Sequence, residues 1–278
     1  QGVVPMFIYG GYGYFDNMNY FFRGNDYLIV DRTDFPKDSI VFENVWGVAD
    51  ESLYANALIA MNRKAAEGKP FFAQIMTTSN HRPYTYPDGR IDIPSPGGRH
   101  GAVKYTDWAI HNFLEEAKKK PWFDDTLFVI VADHNASVAG KISLPPNKYI
   151  IPALFYAPKM LPPQKIELMS SQIDLPPTIL AMLGIKTKGV FFGQNLLGDN
   201  PEPRAYLVNY QELGYLTPTP DGQRHLTLLG PKKRLENYSV NSDGDLTKVP
   251  GDKGRDDKAV ALFQRVDEVF NGGKYVQH

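Results

Sequence analysis

The stretch DTLFVIVADHNAS, residues 125–137, decides how the chain is read. Its six apolar residues Leu127 to Ala132 form the longest such run in the protein. The run is far short of the eighteen or more that cross a bilayer. It matches a central strand of a parallel sheet, apolar throughout because both faces are covered. The run stops abruptly at Asp133-His134-Asn135. In open parallel sheets, ligands bind beyond the carboxyl ends of the strands, so this polar tripeptide stands where a site is expected.

Working outward, three more strands are predicted: Met6–Tyr9, Phe71–Met76 and Ala153–Tyr156. Between them lie amphipathic helices, the alternation of a mostly parallel sheet flanked by helices, an α/β fold. Asp50 is placed to cap a helix carrying Leu53, Ala57, Met61 and Ala65, closed by Gly68 and Pro70. Val103, Ile110, Phe113, Leu114 and Ala117 mark a second helix ending before Pro121. Asp174 precedes a third, which opens with Leu175-Pro176-Pro177 and stops at Gly184. After Arg204 short strands take over, Ala205–Tyr210, Tyr215–Leu216 and His225–Leu229, separated by turns such as Pro220-Asp221-Gly222. Asp256 is expected to start a terminal helix whose stripe, Ala259, Leu262, Phe263, Val266, Val269 and Phe270, is a packing face. The expected organisation is an α/β core over 1–203. A small antiparallel β subdomain with a terminal helix follows over 204–278, packed on the same domain.

Thirty basic residues against thirty-one acidic ones leave a net charge of −1. A protein that grips nucleic acid through its phosphates carries a basic surplus, so nucleic acid is not an expected partner. The absence of cysteine excludes a disulfide framework, a thiolate metal site and a cysteine nucleophile. Gly (24) and Pro (22) are abundant and dispersed without a period, which points to long ordered loops, the usual seat of sites. The chain starts at Gln1 and enters a core strand at once with VVPMFIY (3–9), as expected of a cleaved precursor or a fragment.

Asp133 and His134 pair a hard carboxylate oxygen with an imidazole nitrogen, both good ligands for Mn²⁺ or Zn²⁺. The alternative is a strand-end turn in which Asp133 caps the next segment. Two ligands do not complete a shell, since zinc takes four. The strand Phe71–Met76 runs into a second polar cluster, Thr77-Thr78-Ser79-Asn80-His81-Arg82. There His81 can donate a proton or hold an anionic oxygen beside Arg82, or else be a loop histidine bonded to backbone. His100, in the glycine-rich loop 97–101, is less distinctive, as are His111 on a helix, His225 in the β subdomain and the terminal His278. After the first strand, Tyr9-Gly10-Gly11-Tyr12-Gly13-Tyr14-Phe15 combines close backbone approach to a ligand with aromatics able to floor a sugar or glycerol. It is neither a Walker motif nor a dinucleotide fingerprint, and no G-x-S-x-G elbow occurs.

FIYGGYGYFDNMNYFFRGN (7–25), FFAQIMTTSNHRPYTYP (71–87), VKYTDWAIHNFL (103–114), DTLFVIVADHNAS (125–137), IPALFYAP (151–158) and SQIDLPPTILAMLG (171–184), in this order, resemble the sulfatase-like branch of the alkaline phosphatase superfamily. The resemblance is greatest to bacterial phosphoglycerol transferases of the lipoteichoic acid synthase type and spans about residues 5–215. It implies metal-dependent transfer of a glycerol phosphate head group from a phosphatidylglycerol-like lipid to an acceptor hydroxyl on a glycan or polyglycerophosphate chain. It implies one divalent cation, Mn²⁺ first with Mg²⁺ or Zn²⁺ as alternatives, held in part by Asp133 and His134. His81 would be the catalytic and substrate-contacting histidine, with Asn80 and Arg82 beside it. Tyr12, Phe15 and Asn17 match positions lining the head-group pocket. Some relatives carry Trp and Arg at the latter two, a departure that leaves the phosphate contacts there open.

The family's nucleophilic threonine and metal-binding glutamate lie before the strand that opens this chain. The resemblance therefore implies the C-terminal portion of a catalytic domain, inactive alone and needing a missing N-terminal segment or a parent membrane domain as partner. The parent is expected to be membrane-anchored and extracytoplasmic. A phosphoethanolamine transferase would bring zinc and a cysteine-rich domain, and a true sulfatase a C/S-x-P-x-R signature. The chain has no cysteine, and Ser95-Pro96-Gly97-Gly98-Arg99 has the wrong spacing. A non-catalytic module binding glycerophosphate or glycan is the alternative from a different class.

Overall fold

A computed structural model describes residues 2–136, 144–186 and 189–273. Packing divides the chain into two compact units, 1–126 and 127–278. No helix among the described residues is long and apolar enough to cross a membrane.

The first unit contains strands β1 (Val4–Tyr9), β2 (Leu28–Val30), β3 (Glu43–Asn44), β4 (Gly47–Val48) and β5 (Phe71–Met76). Its helices are α1 (Met18–Gly24), α2 (Asp50–Ala66) and α3 (Gly98–Ala117). β1 lies between β2 and β5 with both pairings parallel, Met6 opposite Leu28 and Ala73. Met6, Phe7 and Ile8 are wholly buried, as the central strand of a covered sheet demands. β3 and β4 form a short antiparallel hairpin whose turn carries Val45 and Trp46.

α2 buries Leu53, Ala57 and Met61 as its spacing predicts. Asp50 is not its cap. Ala49 holds that position and Asp50 is the first helical residue, fully buried, its carboxylate turned to neighbouring segments. α3 starts at Gly98, so His100 is helical, and Gly97 and Gly101 serve packing. A Cβ on Gly101 would come within 2.1 Å of the Tyr86 hydroxyl. Tyr86 in turn stacks on Tyr105 at 5.2 Å. The buried face of α3 runs through Ala102, Tyr105, Ala109 and Phe113, leaving Val103 half exposed, contrary to its expected inward position.

The second unit contains β6 (Phe128–Val131), β7 (Ala153–Tyr156), α4 (Leu175–Met182), β8 (Ala205–Val208), β9 (Leu213–Pro218), β10 (Arg224–Gly230), β11 (Arg234–Val240), β12 (Leu246–Lys248) and α5 (Lys253–Asn271). Here the structure corrects the reading of 127–132. Among the described residues β6 pairs with β7 alone, antiparallel, and Val131 is 38% exposed. A short apolar run records a tendency to be buried but carries no information on the direction of its neighbour.

β8 to β12 form an antiparallel meander in the order 12-11-10-9-8 over a core of Leu207, Leu216, Leu226, Leu228 and Val240. The change of sequence texture at 204 thus coincides with the entry into β8, inside the second unit. α5 starts three residues earlier than predicted, with Asp252 accepting from Arg255 N at 2.9 Å. Its apolar stripe is only half covered. Ala259 and Val269 are buried, but Phe263 and Phe270 are 58% and 67% exposed. Periodicity identified the helix and overestimated what covers it.

Candidate functional site

Within the first unit the site is built on the loop leaving β5. Its first half is buried and its second half is not: Thr78 and Ser79 are 6% and 1% exposed, whereas Asn80, His81 and Arg82 lie in solvent. The Thr78 hydroxyl donates to Val48 O at 2.8 Å. His81 N then donates to Thr78 O, and Tyr84 N to His81 O, so the histidine sits in a doubly bonded turn. His81 Nδ1 lies 3.2 Å from Arg82 O. A carbonyl only accepts, so Nδ1 carries the proton in the neutral ring and Nε2 is left with a lone pair.

The hairpin turn brings Trp46 onto this histidine. Their ring centroids are 3.7 Å apart with the rings tilted by 40°, and Phe15 meets Trp46 edge-on at 5.5 Å. Two residues singled out in the sequence, Phe15 and His81, are therefore joined through a third that sequence reasoning missed. Tyr12 is partly exposed beside Tyr14, ring centroids 5.8 Å apart. Asn17 adopts a left-handed conformation, φ 58°, and lines an open cleft with Asp16, Asn19 and Arg23. The glycines after β1 bring the chain close to the β3–β4 hairpin, where a Cβ on Gly11 would lie 2.5 Å from Trp46 O. Gly47 has φ +140°, and a Cβ there would lie 2.2 Å from Gly10 O. Asp31, buried beneath this turn, accepts from Gly13 N, Asn19 Nδ2 and Thr33. Burial would raise its pKa, yet these bonds hold it below the usual carboxylate value.

Arg82 and Arg99 both donate to the Tyr84 hydroxyl, Arg99 Nη2 at 2.8 Å, and together lower the phenol's pKa. Among the remaining histidines, His100 and His111 are exposed on α3. His225 is 7% exposed with Nε2 2.7 Å from Asn237 Oδ1, a structural role. His278 lies outside the described residues.

In the second unit, Asp133 and His134 follow β6 with side chains 74% and 73% exposed. His134 Nδ1 lies 2.9 Å from Asn135 O, which again assigns the proton to Nδ1 and leaves Nε2 free. Asp133 Oδ2 is 3.6 Å from that Nε2. Metal bonds to such atoms are about 2.0–2.2 Å, so one ion can touch both. The pair therefore fits half of a coordination shell, and no three His, Cys, Asp or Glu gather as a shell among the described residues. Asp133 Oδ1 accepts from His134 N at 2.8 Å, a turn contact that is compatible with ligation by Oδ2.

The backbone of this tripeptide is pinned by Gln172, whose Nε2 donates to Ala132 O at 3.0 Å and Asp133 O at 2.8 Å. Asn135 Nδ2 adds a bond to Ile150 O. Gln172 is itself held in a turn closed by Ser171 and Asp174, and Asp174 is bonded twice by Arg204. A lone glutamine before a predicted helix carries no sequence signal for this role. Such outer partners orient ligands and tune their affinity.

A sequence model described as Sulfatase matches residues 1–185. A crystal structure of a protein in the alkaline phosphatase superfamily from Vibrio parahaemolyticus is 33% identical with a TM-score of 0.92. The match covers 100% of this chain and 68% of that one. Lipoteichoic acid synthase of Staphylococcus saprophyticus is 28% identical over 221 residues, which is 71% of this chain and 33% of the relative. Phosphoglycerol transferase I of Xanthomonas campestris pv. campestris is 25% identical over 216 residues, 73% of this chain and 30% of the relative. The chain thus spans about a third of the length of these curated relatives.

Proposed function

This chain belongs to the sulfatase family, and on that premise we propose that it serves metal-dependent transfer of a glycerol phosphate group from a phosphatidylglycerol-like lipid to an acceptor hydroxyl. The observation that carries the reading is the Asp133–His134 pair, a carboxylate oxygen and a lone-pair nitrogen 3.6 Å apart after a strand. Relatives called lipoteichoic acid synthase and phosphoglycerol transferase supply the substrate class.

Asp133 Oδ2 and His134 Nε2 would hold one divalent cation, Mn²⁺ in the first instance. Bound there, such an ion supplies positive charge to phosphoryl oxygens and lowers the pKa of a nucleophilic hydroxyl. His81 Nε2 binds a phosphoryl oxygen and, when protonated, delivers its proton to the diacylglycerol oxygen as the P–O bond to the lipid breaks. Arg82 and Asn80 hold anionic oxygens beside it, Phe15 and Tyr12 floor the glycerol, and Asn17 meets its hydroxyls. The acceptor is a glycan or polyglycerophosphate hydroxyl, and the reaction takes place at the outer face of the cell membrane.

The nucleophile is a threonine outside these 278 residues. Within the His81 loop, Thr78 is buried with its hydroxyl given to Val48 O, so it is not free to attack. Mixed with a fluorescent phosphatidylglycerol analogue and excess Mn²⁺, the 278-residue chain should release no head group. Metal-dependent turnover would overturn the external nucleophile.

Two further measurements test the reading. Mn²⁺ titrated against the chain and followed by electron paramagnetic resonance should show weak binding that Asp133→Ala abolishes, because a ligand lost from a partial shell cannot be made up locally. Unchanged binding in the variant would refute the pair. Glycerol phosphate should displace the His81 resonances more strongly than phosphoethanolamine or sulfate, and the reverse order would transfer the reading to another branch of the family.

A further inference from the structure

We propose that Asp50 is a positioning residue for His81, its carboxylate fixing the buried half of the loop whose exposed half carries the imidazole. Asp50 Oδ1 accepts from both Thr78 N and Ser79 N at 3.1 Å, and Oδ2 accepts from Thr106 Oγ1 of α3 at 2.8 Å. Asp50 N donates back to Ser79 Oγ at 3.0 Å. One side chain at the start of α2 thus gathers α3 and the loop after β5 at a single point. From that point the chain of bonds to His81 is short: Thr78 N on the carboxylate, then Thr78 O accepting from His81 N.

The same loop is tied to the hairpin that supplies the ring meeting His81, tilted by 40°. Thr78 donates its hydroxyl to Val48 O, two residues from Trp46, so the anchor of the histidine and the ring it touches share one short segment. Asp50 is wholly buried, and burial pushes its carboxyl pKa up. An apolar residue there would avoid that cost but leave two inward-pointing amides without partners. The carboxylate is thus explained by the loop it holds, and not by the packing of α2.

An asparagine preserves this geometry. Its carbonyl accepts from the two amides, and its NH₂ donates to Thr106, whose hydroxyl rotates to accept. The proposal rests on the assignment of His81 as the group that contacts phosphoglycerol, and its test has an arm that does not.

The protein is labelled at the histidine ring carbon between the two nitrogens. The signal of His81 among the six histidines is identified with His81→Gln. Trp46 should displace the His81 proton upfield. The displacement should persist in Asp50→Asn and be lost in Asp50→Ala, with circular dichroism confirming that the variant is folded. Where Asp50→Ala does not fold, Asp50→Ser, which keeps one acceptor, decides the matter by the same signal. A folded Asp50→Ala or Asp50→Ser that keeps the displaced resonance overturns the proposal, because a merely structural residue lowers stability without moving the ring.

In the second arm, glycerol phosphate affinity should fall about tenfold in the variant that loses the displacement, the scale of one charge-assisted contact, and recover in Asp50→Asn. If His81→Ala itself leaves that affinity unchanged, the assignment of His81 fails while the resonance still judges Asp50.

Discussion

His81→Ala is expected to slow head-group transfer by about 10²–10³-fold in the catalytically competent protein, the range for removing one general acid or oxyanion donor. The structure separates this effect from folding. The ring is exposed, its Nδ1 is bonded to its own neighbour's carbonyl, and the ring contact it makes is with Trp46. Surface truncations of this kind change stability within about 0.5 kcal/mol. Rates measured with a phosphatidylglycerol substrate, beside thermal melts of both proteins, check the two halves together. Full activity would remove His81 from the chemistry, and loss of the fold would make it a structural residue.

Arg204→Ala should be the most destabilising single change in the second unit. Arg204 and Asp174 have side chains 5% and 0% exposed and meet through two parallel bonds of 2.6 and 2.7 Å. Asp174 also accepts from Ser171 N and Gln194 N, and the guanidinium lies 4.8 Å from the centre of the Tyr206 ring. Removing the arginine leaves a buried carboxylate without its counter-charge, which costs about 3–5 kcal/mol, a large fraction of the roughly 5–15 kcal/mol that holds a domain together. Urea unfolding of the chain measures it, and a change below about 1 kcal/mol would contradict the burial of the pair.

The pH dependence follows with a definite sign. Burial alone would raise the Asp174 pKa, but Arg204 and the two amides outweigh it and hold the carboxyl below its usual range. A group depressed in the folded state contributes stability above its unfolded pKa and loses it as pH falls through the folded one. The wild-type chain should therefore lose stability in acid partly through this group, and Arg204→Ala should flatten that branch. The effect reaches the candidate metal pair, because the Ser171–Asp174 turn carries Gln172, which pins the Ala132 and Asp133 carbonyls.

Trp46 shows where sequence reasoning stopped. It touches both Phe15 and His81, residues far from it in the chain, and nothing in its own neighbours distinguishes it from a loop aromatic. The role of Asp50 is hidden in the sequence for a related reason. An acidic residue at a helix start suits a cap and a helix dipole equally well, and only the arrival of Thr78, Ser79 and Thr106 gives its carboxylate another task. β11 carries no clear strand signal, because its sequence, RLENYSV, mixes charged and apolar residues without a clean alternation.

The sequence by itself determined the strands around Met6–Tyr9 and at Phe71–Met76, the cores of α2 and α4, and the two polar clusters that follow strands at Asp133 and His81. These depend on local properties: apolar periodicity, turn residues and the chemistry of adjacent side chains. The tertiary structure alone decided that β6 runs antiparallel to β7, that Asp50 is buried under the His81 loop, that Trp46 meets the histidine, and that Gln172 holds the Asp133 backbone. Each of these is a meeting of residues remote in sequence, and a periodic pattern records how often a position is buried without recording what buries it.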